Sequence, residues 1–431
     1  MNVTVERRRL STITFDETIY PRREHDPMMV QRYAQCLEAI EAAGAYLVIT
    51  PDGVLLDGKH RWLAYRTRYP EEEGTDPVIP VRVYEVSTAH EQFALAVKLN
   101  SQHGYQLSTE DKKQCAITLY GYGYSYETIS KELSVRKDTV ADWLSRTVKE
   151  KKDREDKRIL DLWLACRTHD EIETVMDIPR RTIGDRITTL AEQFRGNQTA
   201  KIAFLDWTEE KEVALYTVWK QQDKTAGVGH FGNSEPRWLE NLLYMYTEPF
   251  DIVVDPFAGG GSTIDVCKRR GRRYYVSDRK PIVAREDEIR KWDLTDGLPK
   301  VPHWHDVKLV YLDPPYWKQA EGKYSDDPTD LANMELEEFH STLAKLITAF
   351  SRKLPPKAHI ALLMQPTQWK APDHQYTDHV WEMARRVKLP LDMRIQCPYE
   401  SQQCTAQMVD WAKETRKFLV LTRELVIWQV P

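Results

Sequence analysis

Long apolar runs are missing from this 431-residue chain. Ala358-His359-Ile360-Ala361-Leu362-Leu363-Met364 is about the longest, and a membrane span needs roughly 18 apolar residues or more. The start holds Glu6-Arg7-Arg8-Arg9 where a secretory signal needs its apolar core, so a reducing cytoplasm is the expected compartment. Cysteine is sparse. Cys36, Cys115, Cys166, Cys267, Cys397 and Cys404 form no Cys-x-x-Cys and no Cys/His spacing fit for zinc, so neither a disulfide framework nor a structural metal is expected. No charge of one sign dominates: 61 basic against 66 acidic residues leave a net −5, which decides nothing about nucleic acid, since a basic face can be offset elsewhere. What is present is ordinary for a folded chain. With 41% hydrophobic and 29% charged residues, disordered and collagen-like chains are excluded, and the length suits roughly three domains.

Pattern divides the chain at about residues 104 and 198, giving parts 1–104, 105–198 and 199–431. The first mixes short strand-like runs with a helix. Val30, Tyr33, Ala34, Leu37 and Ile40 share one helical face over Val30 to Ala43, with Gly44 as the stop. Tyr46 to Thr50, the turn Pro51-Asp52-Gly53 and Val54 to Leu56 read as a hairpin, and Pro80 to Val86 as another strand. A small α+β domain is expected. The second part holds two helix-turn-helix units, Tyr126 to Leu144 and Asp170 to Ile187, with Asp138 and Thr182 as cap-like openings of the second helices. Lys149 to Arg158, between them, reads as a solvated helix face or linker. The third part alternates strands at Ile252–Val254, Arg273–Val276, Lys308–Leu312 and Ile360–Leu363 with helices, which predicts a doubly wound, largely parallel α/β sheet. Its tail, Lys417 to Trp428, reads as a closing hairpin.

Two motifs of the third part carry chemistry. Asp255-Pro256-Phe257-Ala258-Gly259-Gly260-Gly261-Ser262-Thr263 follows an apolar strand and opens a helix, where glycines let a ligand approach the backbone. Asp278 follows the next strand, placed to accept bonds from ribose hydroxyls. The loop lacks the Gly-x-Gly-x-x-Gly spacing of dinucleotide sites. Further on, Asp313-Pro314-Pro315-Tyr316-Trp317 ends a second strand. An exocyclic base amine is a poor nucleophile because its lone pair is conjugated with the ring. A carboxylate at Asp313 and the Pro314 carbonyl can each accept one amine hydrogen and free that lone pair, Pro315 stiffens the turn, and Tyr316 can stack on a base taken out of its helix.

Together these motifs resemble the cofactor and catalytic motifs of the amino-group DNA methyltransferases, over about residues 230–431. The resemblance implies a Rossmann-like fold, S-adenosylmethionine as cofactor, duplex DNA as partner and no metal. Carried over, Asp255, Pro256, Phe257, Gly259 and Gly261 form the methionine side of the cofactor site, Asp278 holds the ribose, Asp293 approaches the adenine, and Phe231 belongs to the preceding cofactor motif. Asp313, Pro314, Pro315 and Tyr316 are the catalytic set. The 58 positions from Asp255 to Asp313 leave no room for a recognition domain between them. Asp in the first catalytic position leans to adenine N6 over cytosine N4. Cytosine C5 is disfavoured because no Pro-Cys dipeptide occurs and Cys397-Pro398 has the reverse order.

In the front half, Leu56-Asp57-Gly58-Lys59-His60-Arg61-Trp62 follows a strand and opens a helix, an arrangement in which Gly58, Lys59, His60 and Arg61 could hold a phosphate. It is similar to the phosphate-binding segment of ParB-like proteins over about residues 10–100, although Lys59-His60 stands where that family has an acidic-basic pair. Arg136-Lys137 and Arg180-Arg181, at the starts of the second helices, would face phosphates or bases of duplex DNA. The resemblance as a whole implies a phage or mobile-element enzyme of bacterial cytoplasm, with a homodimer compatible. A ParB-like regulator with a vestigial transferase domain, and an RNA methyltransferase, are the rival expectations.

Overall fold

Four strands build the first sheet: β1 (Val3–Arg9), β2 (Leu47–Ile49), β3 (Leu55–Asp57) and β4 (Val78–Tyr84), in the order β1-β4-β2-β3. The computed structural model describes residues 3–70, 74–102, 107–196, 216–219, 235–398 and 404–431. In β4, Ile79, Val81 and Val83 point inward at every second position and meet Leu47, Ile49 and Leu55, with Trp62 and Tyr65 of the helix Lys59–Arg68 closing over them. The edge strand β1 is mostly exposed and carries Arg7, Arg8 and Arg9, charges that discourage pairing with another chain.

The helix expected over 30–43 is two helices, Pro27–Gln35 and Leu37–Ala42, because Cys36 leaves the helical region at φ −130° and ψ 27°. The real start signal is Asp26, whose carboxylate accepts from the backbone N–H of Met28 and Met29, with Pro27 at the first helical position.

The chain separates into two compact units, Met1–Asp153 and Arg154–Pro431. The boundary falls inside the helix Lys137–Leu164, whose stretch 149–158 is mainly exposed, as its charge suggested. The first helix-turn-helix therefore belongs with the front unit and the second with the sheet unit. Each has its own small core: Leu119, Ile129, Leu133, Val140 and Leu144 in one, Ile159, Ile172, Ile183 and Ile187 in the other. Neither Asp138 nor Thr182 is a cap. The second helices start earlier, at Lys137 and Arg180, which puts both residues inside the first turn.

In the second unit β5 (Ile252–Asp255), β6 (Arg273–Asp278), β7 (Arg290–Lys291), β8 (Val307–Leu312), β9 (His359–Met364), β10 (Leu391–Pro398) and β11 (Thr422–Gln429) form one sheet, in the order β10-β11-β9-β8-β5-β6-β7. Strands β5 to β9 run parallel, and β11 inserts antiparallel between β9 and β10. β5 and β9 are buried throughout, and β6 and β8 almost so, as strands covered on both faces must be. The tail is not a hairpin on itself: only Thr422–Gln429 is strand, and its partners are β9 and β10. Chain order reverses between β5, which leads outward to β6, and β8, which opens the other half. A crevice forms at such a switch point, at the carboxyl ends of the strands.

Below that edge lies a buried polar chain. The Thr367 hydroxyl donates to the Trp317 carbonyl (3.0 Å), His379 Nε2 lies 2.9 Å from the same hydroxyl, and His379 Nδ1 lies 2.9 Å from His340 Nε2. Since the hydroxyl has one hydrogen, and spends it on the Trp317 carbonyl, His379 donates to it from Nε2, and a neutral His379 then accepts at Nδ1 from His340. Burial, with His340 beside it, pushes the His379 imidazole down to about 3. The unfolded imidazole takes a proton near 6.5 that the folded ring refuses until about 3, so this contribution is present above 6.5 and is lost as pH falls. From about pH 7 to 5 the chain should lose about 2 kcal/mol through this residue. Urea melts at both pH values, wild type against His379→Gln, should show the variant's loss smaller by that amount; parallel losses would mean that the ring is not held neutral.

Candidate active site at the carboxyl edge of the sheet

Asp255 ends β5 with 3% of its surface exposed. Its carboxylate accepts from the Phe257 N–H (2.9 Å) and from the Thr263 hydroxyl (2.6 Å), so the loop is folded around it. Burial raises the Asp255 carboxyl to about 7 against the pull of those two bonds, and the nearby Asp313 and Asp278 raise it further. The loop continues over the next strand: Ala258 N–H donates to the Ser277 carbonyl (3.0 Å), and Gly259 N–H to Asp278 (3.0 Å). Gly261 then opens the helix Ser262–Arg270 with φ +81°, where a Cβ would stand 2.8 Å from Arg285 Cδ. Arg285 donates to the Gly261 carbonyl (3.1 Å) and pairs with Asp265 (2.8 Å).

Asp278, one strand over, accepts backbone N–H groups of Gly259 and Lys280, one on each oxygen. Each oxygen keeps capacity for a second donor. Asp293 accepts from Thr295 and pairs with Arg279 (2.7 Å), and these outweigh burial and hold its carboxyl below the usual range. Arg279 also reaches Asp327 (2.7 Å). It thereby ties the end of β6 to the loop that follows β8.

That loop carries the second motif. Asp313 is half-buried and accepts the Tyr316 hydroxyl at 3.0 Å; Pro314 is buried, and Pro315 and Tyr316 are half-buried. The Tyr316 ring packs against the main core with the Arg423 guanidinium 5.3 Å from its centroid. Arg423 comes from β11 and keeps its charge despite burial, favoured by Tyr316 and Asp313. Burial, followed by Asp313 and Asp278, raises the Tyr324 hydroxyl to about 12, which puts this side chain close to both carboxylates. The loop is closed on itself: Trp317 Nε1 donates to the Met334 carbonyl, and Asn333 to the carbonyls of Ser325 and Asp327.

The sheet therefore gathers Asp255, Phe257, Gly259, Gly261 and Asp278 with Asp313 to Tyr316 on one edge. Thr263, Arg279, Arg423 and Tyr324 were not foreseen. Thr263 lies within the first motif, whereas the other three had no local signal. Phe231 lies outside the described residues. In the front unit the basic residues beside Gly58, which has φ +101°, are engaged by the fold. Arg61 bonds the Ala45 and Tyr46 carbonyls and Asp57; Lys59 is buried over the Phe15 ring; His60 Nε2 accepts the Asp26 N–H. Burial, with Arg22 nearby, pushes His60 down to about 4. Arg136, Lys137, Arg180 and Arg181 are exposed, with Arg136 near Asp138 and Arg180 bonded to Asp170. Among the described residues, His303, His305 and Asp306 come within mutual reach of a metal ion, at the opposite end of β8 from Asp313, where Asp306 also lies 3.6 Å from Arg273.

An edge with three carboxylates around a glycine loop suits a cationic ligand. The model of a family described as DNA methylase matches residues 70–285, half of the chain, including Asp255, the glycine loop and Asp278 and ending before Asp313. The chain belongs to the DNA methylase family. It is also 31% identical over 85 residues to the type II methyltransferase M.XycI of Xanthomonas campestris pv. cyanopsidis, a match that spans 18% of this chain and 28% of that relative. Similar solved structures include the chromosome-partitioning protein ParB of Caulobacter crescentus bound to parS (14% identical, 32% of this chain and 70% of that one, TM-score 0.24). A SAM-dependent methyltransferase of Archaeoglobus fulgidus is 14% identical over 45% of this chain and 94% of that one, TM-score 0.28. Overlaps this low carry no argument for this chain. No helix among the described residues is long and apolar enough to cross a membrane.

Gly261→Ala must force a left-handed backbone on alanine and move Arg285. A loss of about 1–2 kcal/mol is expected, read from urea melts of the full chain; an unchanged midpoint would show that the loop has room to rearrange.

Proposed function

We propose that this chain methylates an exocyclic amine of duplex DNA, with N6 of adenine as the target, using S-adenosylmethionine. The observation that carries the reading is the meeting of Asp255, Asp278 and Asp313 at the switch point between β5 and β8. The cofactor, when bound, supplies an electrophilic methyl on a sulfonium, and the donor set fits it: a cation and an α-ammonium belong among carboxylates, and hydroxyls of a ribose beside Asp278. Phe257 would pack on the methionine side, and Asp293 would mark the adenine side.

In this reading Asp313 and the Pro314 carbonyl each accept a hydrogen of the amine, which localises the nitrogen lone pair toward the methyl. The amine gains the methyl and gives up one proton, first to Asp313 and then to water. The Tyr316 hydroxyl, now on Asp313, must leave that oxygen when the base arrives, which frees the ring to face the base. Asp313 is among the groups that favour the charged form of the buried Arg423, which stands by the same loop. Cytosine N4 would be served by the same steps. Asp in the first catalytic position is what favours adenine. The helix-turn-helix units, with Arg136, Lys137, Arg180 and Arg181 outward, would hold the duplex through its phosphates. Gly58 to Arg61 would contribute to a phosphate site only if Lys59 or His60 exchanged its present partners.

Labelled methyl transfer to unmethylated duplex DNA, followed by nucleoside analysis, tests the proposal. N6-methyladenine is expected, and Asp313→Ala should cut the rate by about 10²–10³ with cofactor binding kept; N4-methylcytosine would reverse the base, and no transfer to any of several DNAs would overturn the reading. Cofactor affinity should rise with pH. The Asp255 carboxyl is protonated below about 7 and binds a cation only when ionised, so affinity is expected to fall about tenfold per pH unit below that point and to level above it. Calorimetry on the wild type and Asp255→Asn checks this; a flat wild-type profile would remove Asp255 from the site. Replacing Arg136 and Lys137 by alanine should lower the salt slope of duplex binding by about 2.

A further inference from the structure

β11 enters the sheet beside the carboxyl end of β9, because Glu424 pairs with Met364, the last residue of that strand. The connection that precedes β11 therefore emerges at the same edge as Asp255 and Asp313. It contains the helix Ala406–Thr415, which buries no residue, then Arg416, Lys417 and Phe418. Phe418 is 95% exposed. A phenyl ring left in water at that level forgoes the burial that makes aromatic residues stabilising.

Its backbone, in contrast, is held. Gln368 donates from its amide to the Phe418 carbonyl (2.8 Å) and accepts the Val420 N–H (3.2 Å). Gln368 directly follows Thr367, whose hydroxyl bonds the Trp317 carbonyl in the catalytic loop. One short run of bonds thus connects the Asp313 loop to the tip that presents Phe418. Behind the tip, Trp369 stacks on His374 (4.6 Å between centroids), and Trp411 stands edge-on to both. Lys417 lies 5.7 Å from the Trp411 ring centre. Arg416 and Lys417 are exposed and, among the described residues, not ion-paired. Lys413, one turn back, shares its charge with Asp410 at 3.9 Å.

An apolar ring with two cations just before it in the chain, fixed at the edge that carries Asp313, fits unstacked nucleic acid: the ring takes the place of a base, and the cations meet the backbone. We propose that Phe418 is a wedge that enters the duplex as the target base leaves it, filling the gap, with Arg416 and Lys417 on the adjoining phosphates. This rests on the methylation reading for its target and adds the surface that opens the helix.

The test compares binding of the full chain to a fluorescent duplex carrying one abasic site and to the intact duplex of the same sequence. The wild type is expected to prefer the abasic duplex about tenfold, Phe418→Ala to lose that preference, and Phe418→Leu to keep most of it. No preference in the wild type, or an undiminished one in Phe418→Ala, would overturn the wedge. Methyl transfer supplies the second readout. Phe418→Ala should lose about tenfold on duplex and little on denatured DNA, where no gap needs filling; equal loss on both would also overturn it. Should the wild type methylate no DNA, the methylation reading fails, while the abasic comparison still decides the wedge. A change in sedimenting mass in Phe418→Ala, with duplex binding unaltered, would assign the tip to self-association instead.

Discussion

A carboxylate buried at the end of a central strand organises this molecule's working edge. Asp255 cannot be left bare in a site with 3% exposure, so the chain bends to satisfy it: Phe257 turns its N–H back, and Thr263 brings its hydroxyl from the following helix. The glycines between them follow from that demand, since the path from one donor to the other passes through left-handed backbone at Gly259 and Gly261. Once the loop is wrapped, its next N–H falls on Asp278 and the neighbouring strand is tied in. Two carboxylates and one glycine loop are therefore a single object. Bringing Asp313 close raises the local negative charge further, a cost that a bound cation would offset.

Motifs continuous along the chain were legible in its sequence for a physical reason. A turn that must meet a buried carboxylate needs its glycines, donors and acid within nine residues, so Asp255 to Thr263 could be read as one unit, and Asp313 to Tyr316 likewise. Arg423, Tyr324 and Arg279 could not be found that way. Arg423 reaches Tyr316 only because β11 lies beside β9 in the sheet, and an alternating strand does not say which strands it will lie between. The same ambiguity turned the tail into an expected hairpin. At Asp138 and Thr182 the misreading was of a different kind: a residue favourable in a first turn looks like a cap when the helix start is judged by composition alone.

The basic segment after Gly58 shows the limit of reading charge from sequence. Lysine, histidine and arginine beside a helix start suggest an anion, yet each has a use inside the fold. Arg61 completes two carbonyls and Asp57, His60 accepts a backbone N–H and so is neutral at that nitrogen, and Lys59 lies over an aromatic ring. A cation that already satisfies buried acceptors must give them up before it can meet a phosphate, and the desolvated carbonyls left behind set the penalty.

The two helix-turn-helix units look alike in sequence but are differently anchored. The second is stapled to the sheet that carries Asp255 and Asp313. Arg290 of β7 donates to the carbonyls of Ala165 and Cys166, Arg273 of β6 lies over the Trp163 ring, and Arg167 donates to the Asp287 carbonyl. Arg290 satisfies carbonyls at the end of the long helix and the other two arginines tie the same region to the sheet, so the position of Arg180 and Arg181 relative to the carboxyl edge is set by the fold of one unit. The first helix-turn-helix instead packs its core on Phe93 and Val97 of the helix Ala89–Gln102, whose Leu95 and Ala96 lie against Val48 and Leu56 of the front sheet. A duplex held by Arg180 and Arg181 would thus meet the carboxyl edge in a register set within this one unit.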